Sequence, residues 1–214
     1  MHGAARTLEI AVSVALVSTF IGTIYGAVAG YYRGWIDTLM MRFADLILTI
    51  PALVFAIIVS DKFSASISSA WYFLAFILAA LFWPICARIV RAQVLSLREK
   101  EFVEAARALG GKDGRIIFRH IVPNCMGSII VVLTLTVANT VLVETALSFL
   151  GFGVRLPDTS LGTLVNSGQT AIQDGFPWLF YFPALFIILI VLSINFIGDG
   201  LRDAFDPQQT RVRA

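Results

Sequence analysis

Few side chains in this 214-residue sequence are placed for covalent chemistry. Its two histidines, His2 and His120, lie far apart, and its two cysteines, Cys86 and Cys125, lack the paired Cys or His spacing of a metal site or a disulfide framework. Residues 109–113, LGGKD, come nearest to a nucleotide-binding loop, but Ala106 stands where the first glycine is needed and Asp113 where a Ser or Thr must hold magnesium. The acidic residues are scattered rather than paired. The sequence therefore points away from an enzyme: no catalytic, cofactor or metal residues are expected in this chain. Two polar groups fall inside an apolar block, Asn139 and Glu144. A carboxylate at membrane depth is costly unless it is paired or faces water, so Glu144 is a candidate for the interior of a helical bundle, lining or packing a pathway.

The one long polar stretch between apolar blocks is 99–124, EKEFVEAARALGGKDGRIIFRHIVPN. Phe102, Ala105, Ala106 and Leu109 fall at i, i+3, i+4 and i+7, one apolar stripe on a short helix. Gly110-Gly111 stops that helix, because glycine takes the left-handed position after a helix end at little cost. Asp113 is expected to N-cap a second short helix with Ile116, Ile117, His120 and Ile121 on its apolar side, and Pro123 closes the unit. The stretch reads as a helix-turn-helix elbow.

The elements that carry this elbow follow from composition. The chain is 58% hydrophobic and 14% charged with a mean hydropathy of +0.84, whereas soluble domains carry about 25% charge. Five blocks approach the ~20 apolar residues that a membrane helix needs: 8–29, 43–60, 71–90, 126–150 and 178–197. The fold class is all-α, a polytopic membrane bundle of five transmembrane helices with a cytoplasmic elbow. Thirteen of the sixteen Lys and Arg residues lie in the 31–42 loop, the central loop or the C-terminal tail. That side is expected to be cytoplasmic and the N-terminus external, which also puts His2 and His120 in different compartments. Gly22, Gly26 and Gly30 recur every fourth residue and predict a close helix–helix seam. Pro51 predicts a kink in the second span, a candidate pivot or pathway element. Asp45 is expected to meet a basic residue, Arg88 and Arg91 to anchor the interface, and 161–172 to form a short amphipathic external helix.

The order Glu104-Ala105-Ala106, three residues, Gly110, then Pro123 thirteen positions on resembles the EAA loop of ATP-binding-cassette importer permeases. That family often has Ile and Leu shortly before the proline, where this chain has His120 and Val122. RHIVPN, ALSFLGFG and GDGLRDAFDP are similar to the peptide and nickel branch, so the resemblance covers nearly the whole chain. It implies a permease domain over 8–200, with 99–124 as the coupling loop and 201–214 as a cytoplasmic tail. By the same resemblance Phe102, Glu104, Ala105, Ala106, Leu109, Gly110 and Pro123 contact a separate ATPase, which alone binds ATP and magnesium. The implied partners are a second homologous permease, two cytoplasmic ATPase subunits, an extracytoplasmic solute-binding protein and the lipid bilayer of a prokaryotic inner membrane. Short peptides are the implied cargo, with nickel chelates or other small solutes behind them. Permeases of this branch carry one more helix before a stretch similar to GAARTLEIAV, so the chain is expected to lack it. Acidic residues interleaved through the elbow argue against nucleic acid. A secondary transporter or channel, or a membrane scaffold recruiting a soluble partner, are the alternatives from other classes.

Overall fold

Hydrocarbon offers no partners to the backbone, so an apolar block satisfies its own N–H and C=O groups by becoming helix. The computed structural model describes residues 2–62, 71–155 and 157–205, and all regular structure among them is helical. Four helices are each long and apolar enough to cross a membrane: α1 (His2–Tyr32), α4 (Trp71–Leu97), α8 (Met126–Phe149) and α10 (Trp178–Phe205). The fifth expected crossing is broken. It consists of α2 (Gly34–Leu48) and α3 (Ala52–Lys62), separated by a break at 49–51.

The break has a local cause. Pro51 supplies no N–H to the helix before it, while its carbonyl accepts the Phe55 N–H at 2.9 Å and opens α3. The 31–42 segment is not the expected loop: α2 begins at Gly34, with one residue between it and the end of α1. Its polar residues are accommodated because Asp37, in the first turn, is buried against Arg91 of α4. The joint between α1 and α2 is Arg33, a non-glycine residue at φ 55°, ψ −172°. That region costs an ordinary residue about 1–3 kcal/mol.

Contacts group the chain into two interleaved compact units. One comprises Met1–Leu16, Ile50–Leu81 and Thr134–Ile197. Within its described residues, α9 (Leu161–Gln173) starts with a reciprocal cap: Ser160 Oγ accepts from Thr163 N–H at 3.2 Å, and Thr163 Oγ1 accepts from Ser160 N–H at 2.9 Å. A Cβ on Gly162 would come within 2.7 Å of the Thr145 carbonyl, so α9 lies directly on the α8 backbone.

The second unit comprises Val17–Thr49, Phe82–Leu133 and Gly198–Ala214. Here the glycine seam is found, and its partner is α4. A Cβ on Gly22 would sit 2.6 Å from the Trp83 carbonyl, one on Gly30 2.9 Å from the Arg91 carbonyl, and one on Gly26 would run into the Ala87 backbone. Tyr25 packs edge-on against Trp83 with ring centroids 4.5 Å apart and donates to the Met40 carbonyl at 2.8 Å. The elbow belongs to the same unit. Its short helix α5 (Glu101–Ala108) is followed by a continuous helical run of α6 (Asp113–Arg115), a π-helical segment (Ile116–Ile121) and α7 (Val122–Asn124). Residues 206–214, which hold Arg211, Arg213 and most of the expected tail, lie outside the described residues. α10 itself runs on past the expected fifth span to Phe205.

Candidate functional site

Helix α5 carries Glu101 and Glu104 in its first turn and Arg107 in its last, an arrangement that complements the helix dipole. It ends in a Schellman motif: Gly111 N–H reaches the Ala106 carbonyl at 3.0 Å and Gly110 N–H the Arg107 carbonyl at 2.9 Å. Gly110 lies at φ 77°, as expected for the residue that reverses the chain. Gly111 is needed for a different reason, since a Cβ there would stand 2.7 Å from the Ala106 carbonyl.

The apolar stripe of α5 does not serve as the inner face of the elbow. Val103, absent from that stripe, is the residue fully buried in the cluster with Ile116, Ile117, Ile121 and Cys125, and Ala106 packs beside it. Phe102 remains 39% exposed and Leu109 89% exposed, with Ala105 and Glu104 also on the surface. The elbow thus holds itself to the membrane helices by one side and leaves apolar side chains uncovered on the other. Asp113 is the first residue of α6 rather than its cap; Lys112 occupies the cap position and makes no side-chain cap bond. The Asp113 carboxylate accepts instead from the Tyr31 hydroxyl at 2.8 Å. Pro123 is exposed at the second residue of α7, inside the helical run that starts at Asp113.

Ion pairs fix α2 and the helix ends around the elbow. Arg91 holds Asp37 through two parallel bonds, Nε to Oδ1 at 2.5 Å and Nη2 to Oδ2 at 2.6 Å, a geometry that adds direction to charge. Arg88 pairs with Asp45, and Arg33 with Glu99 at 2.5 Å. Arg98 donates to the Tyr31 carbonyl; burial, with the Arg33 and Arg107 guanidiniums nearby, lowers its pKa from the ordinary arginine value. Burial alone raises the Cys125 thiol to about 11.

The other candidates are dispersed. Glu144 is fully buried in the first unit, where its carboxylate accepts from Ser148 Oγ at 2.6 Å and Thr7 Oγ1 at 3.2 Å. Thr7 Oγ1 in turn accepts from Leu161 N–H at 3.1 Å, and Ser148 Oγ accepts from Val154 N–H at 3.2 Å. Glu144 therefore knots the start of α1, the end of α8 and the start of α9, rather than opening on a cavity. Asn139 lies on the surface of α8, on one face with exposed Leu135 and Leu142. Pro51 is exposed at the α2–α3 break, and Gly22, Gly26 and Gly30 are buried in the α1–α4 seam. Sequence reasoning missed Val103, Tyr31, the Asp37–Arg91 pair and the Ser160 cap. Only the last left a local signal, a Ser three residues before a Thr at the start of an amphipathic run.

Comparison with known proteins agrees with this architecture. The family described as "Binding-protein-dependent transport system inner membrane component" matches residues 22–211. The oligopeptide transport system permease protein OppC of Mycobacterium bovis is 44% identical over 213 residues, covering 100% of this chain and 72% of that protein. A putative peptide permease protein of Brucella ovis is 43% identical over 97% of this chain and 68% of its own length. A solved structure of the MetNI methionine ABC transporter in an inward-facing conformation superposes with a TM-score of 0.74 at 17% identity, covering 95% of this chain and 94% of that one. At that identity the superposition speaks for the fold, whereas the sequence matches speak for descent. The chain belongs to the family of binding-protein-dependent transport system inner membrane components, the multi-pass permeases of ABC importers.

Proposed function

We propose that this permease forms half of the translocation pathway for short peptides and that its elbow, 99–124, is the point at which a separate ATPase subunit drives it. One observation carries the second part: α5 is anchored by Val103 while Phe102 and Leu109 stand uncovered beside Gly110. A soluble protein with an apolar cleft would bury those side chains, and Ala105, Ala106 and Glu104 border them. Burying a leucine contributes about 1.5–3 kcal/mol, enough for the elbow to be gripped rather than merely touched. ATP and magnesium then belong to two such subunits, and a second homologous permease completes the pathway. A solute-binding protein delivers cargo on the far side of the membrane.

The peptide assignment is supported by the relatives, an oligopeptide transport system permease and a putative peptide permease. A cytoplasmic elbow is supported by the thirteen basic residues of the 31–42 segment, the central loop and the C-terminal tail. Of the pathway candidates, Asn139 fits best, because an exposed amide on a membrane helix needs a polar partner or water. Glu144, fully satisfied by Thr7 and Ser148, is assigned to structure. The test is reconstitution of the assembled transporter in proteoliposomes with its binding protein, using tritiated trialanine as probe. Uptake that requires ATP on the elbow side is expected. Uptake driven by an ion gradient without ATP would contradict the reading.

A further inference from the structure

The end of α1 is joined to the elbow more extensively than chain connectivity requires. Tyr31, 5% exposed, donates its hydroxyl to Asp113 at the start of α6. Its ring lies beneath the Arg107 guanidinium, 5.2 Å from centroid to carbon, and beneath that of Arg98 at 5.9 Å, distances at which a cation is attracted to the ring face. Arg98 also donates to the Tyr31 carbonyl. Two residues on, the strained Arg33 joint is held by Glu99. One aromatic side chain therefore touches the last turn of α5, the first turn of α6 and the residue that follows α4. The helix bearing it packs closely against α4 along Gly22, Gly26 and Gly30.

We propose that Tyr31 is a positioning residue for transport: it fastens both elbow helices to α1, so that movement of the elbow is delivered to the glycine seam between α1 and α4. This rests on the elbow being the ATPase docking point. Without the Tyr31 side chain, α5 and α6 lose their polar ties to α1, and Arg98 on the Tyr31 carbonyl and the Arg33–Glu99 pair hold α1 only to the segment before α5. With it, α1 moves as part of the same body, and the Arg33 joint takes up the change in angle towards α2. The ring supplies the grip on the two arginines, and the hydroxyl supplies the register with α6.

The experiment uses the complete transporter in proteoliposomes and reads tritiated trialanine taken up per ATP hydrolysed, alongside crosslinking of Leu109→Cys to the ATPase. Tyr31→Phe, which keeps the ring, is expected to lower that ratio about threefold, and Tyr31→Ala at least tenfold, with the crosslink retained in both. Asp113→Asn, which still offers an acceptor oxygen to the hydroxyl, is expected to retain the ratio, whereas Asp113→Leu behaves like Tyr31→Phe. An unchanged ratio in Tyr31→Ala overturns the proposal. If Tyr31→Ala fails to assemble, Tyr31→Phe decides in its place, and an unchanged ratio there overturns it equally. Absence of the Leu109→Cys crosslink with Tyr31 intact overturns the docking reading itself, and the proposal with it.

Discussion

Glu144 shows how a residue can be conspicuous in sequence and still have a structural part. A carboxylate in an apolar block asks for a partner, and the structure supplies two donors, Thr7 and Ser148, each of which also accepts a backbone N–H. Replacing Glu144 with Ala leaves both hydroxyl donors buried without that acceptor, at about 1–3 kcal/mol for each. Glu9, by contrast, is exposed and paired with Arg6 alone, an arrangement worth at most about 1 kcal/mol. Thermal unfolding of the purified permease in detergent should show Glu144→Ala several degrees below Glu9→Ala; coincident curves would return Glu144 to the pathway candidates. That Glu144 is interior was legible from its type and block. Its partners were not, because Thr7 and Leu161 are 137 and 17 residues away and nothing local marks them. Tyr31 was hidden for a related reason: a tyrosine at the end of a span reads as an interface residue, and its three cationic or acidic neighbours come from 98–113.

Among the elements, periodicity identified companions on a face without saying which way the face points. Phe102, Ala105, Ala106 and Leu109 do share a stripe, yet Val103 faces the core because Ile116, Ile117 and Ile121 wait there. The first part of α2, 34–42, falls in the expected 31–42 loop; Arg91, 54 residues on, pairs with Asp37 there and permits a helix. The glycine repeat was more informative, since a four-residue period fixes a face and small side chains fix a close neighbour; only the identity of that neighbour, α4, needed coordinates. Gly26→Leu should force α1 and α4 apart, at a cost of at least about 1–3 kcal/mol for overpacking. Gly200→Leu, where a Cβ meets nothing within 4 Å, should cost little. Equal loss of folded protein in membranes from the two variants would contradict the seam.

At the scale of the molecule, hydropathy and charge were sufficient for an all-helical membrane protein with a polar elbow, because the bilayer permits few alternatives; of the five crossings expected, four are unbroken helices and the fifth is a broken pair. What the chain leaves uncovered is as informative as what it packs. Only 6% of the most apolar stretch of α10 is buried within the protein, a surface suited to lipid or another subunit. Leu109 is exposed too, but it lies on a polar elbow and not on a membrane helix. Lipid and a soluble partner therefore make different claims on these two surfaces.

The most direct measurement is site-specific crosslinking from Leu109→Cys in native membranes. Both natural cysteines are buried, and the Cys125 thiol is held at about 11, so a maleimide crosslinker at pH 7 reports the introduced residue. A covalent product between this permease and a cytoplasmic ATPase is expected, formed at most one per permease and altered when ATP is bound. Labelling that reaches lipid or bulk water alone, with no protein product at any nucleotide state, would contradict it.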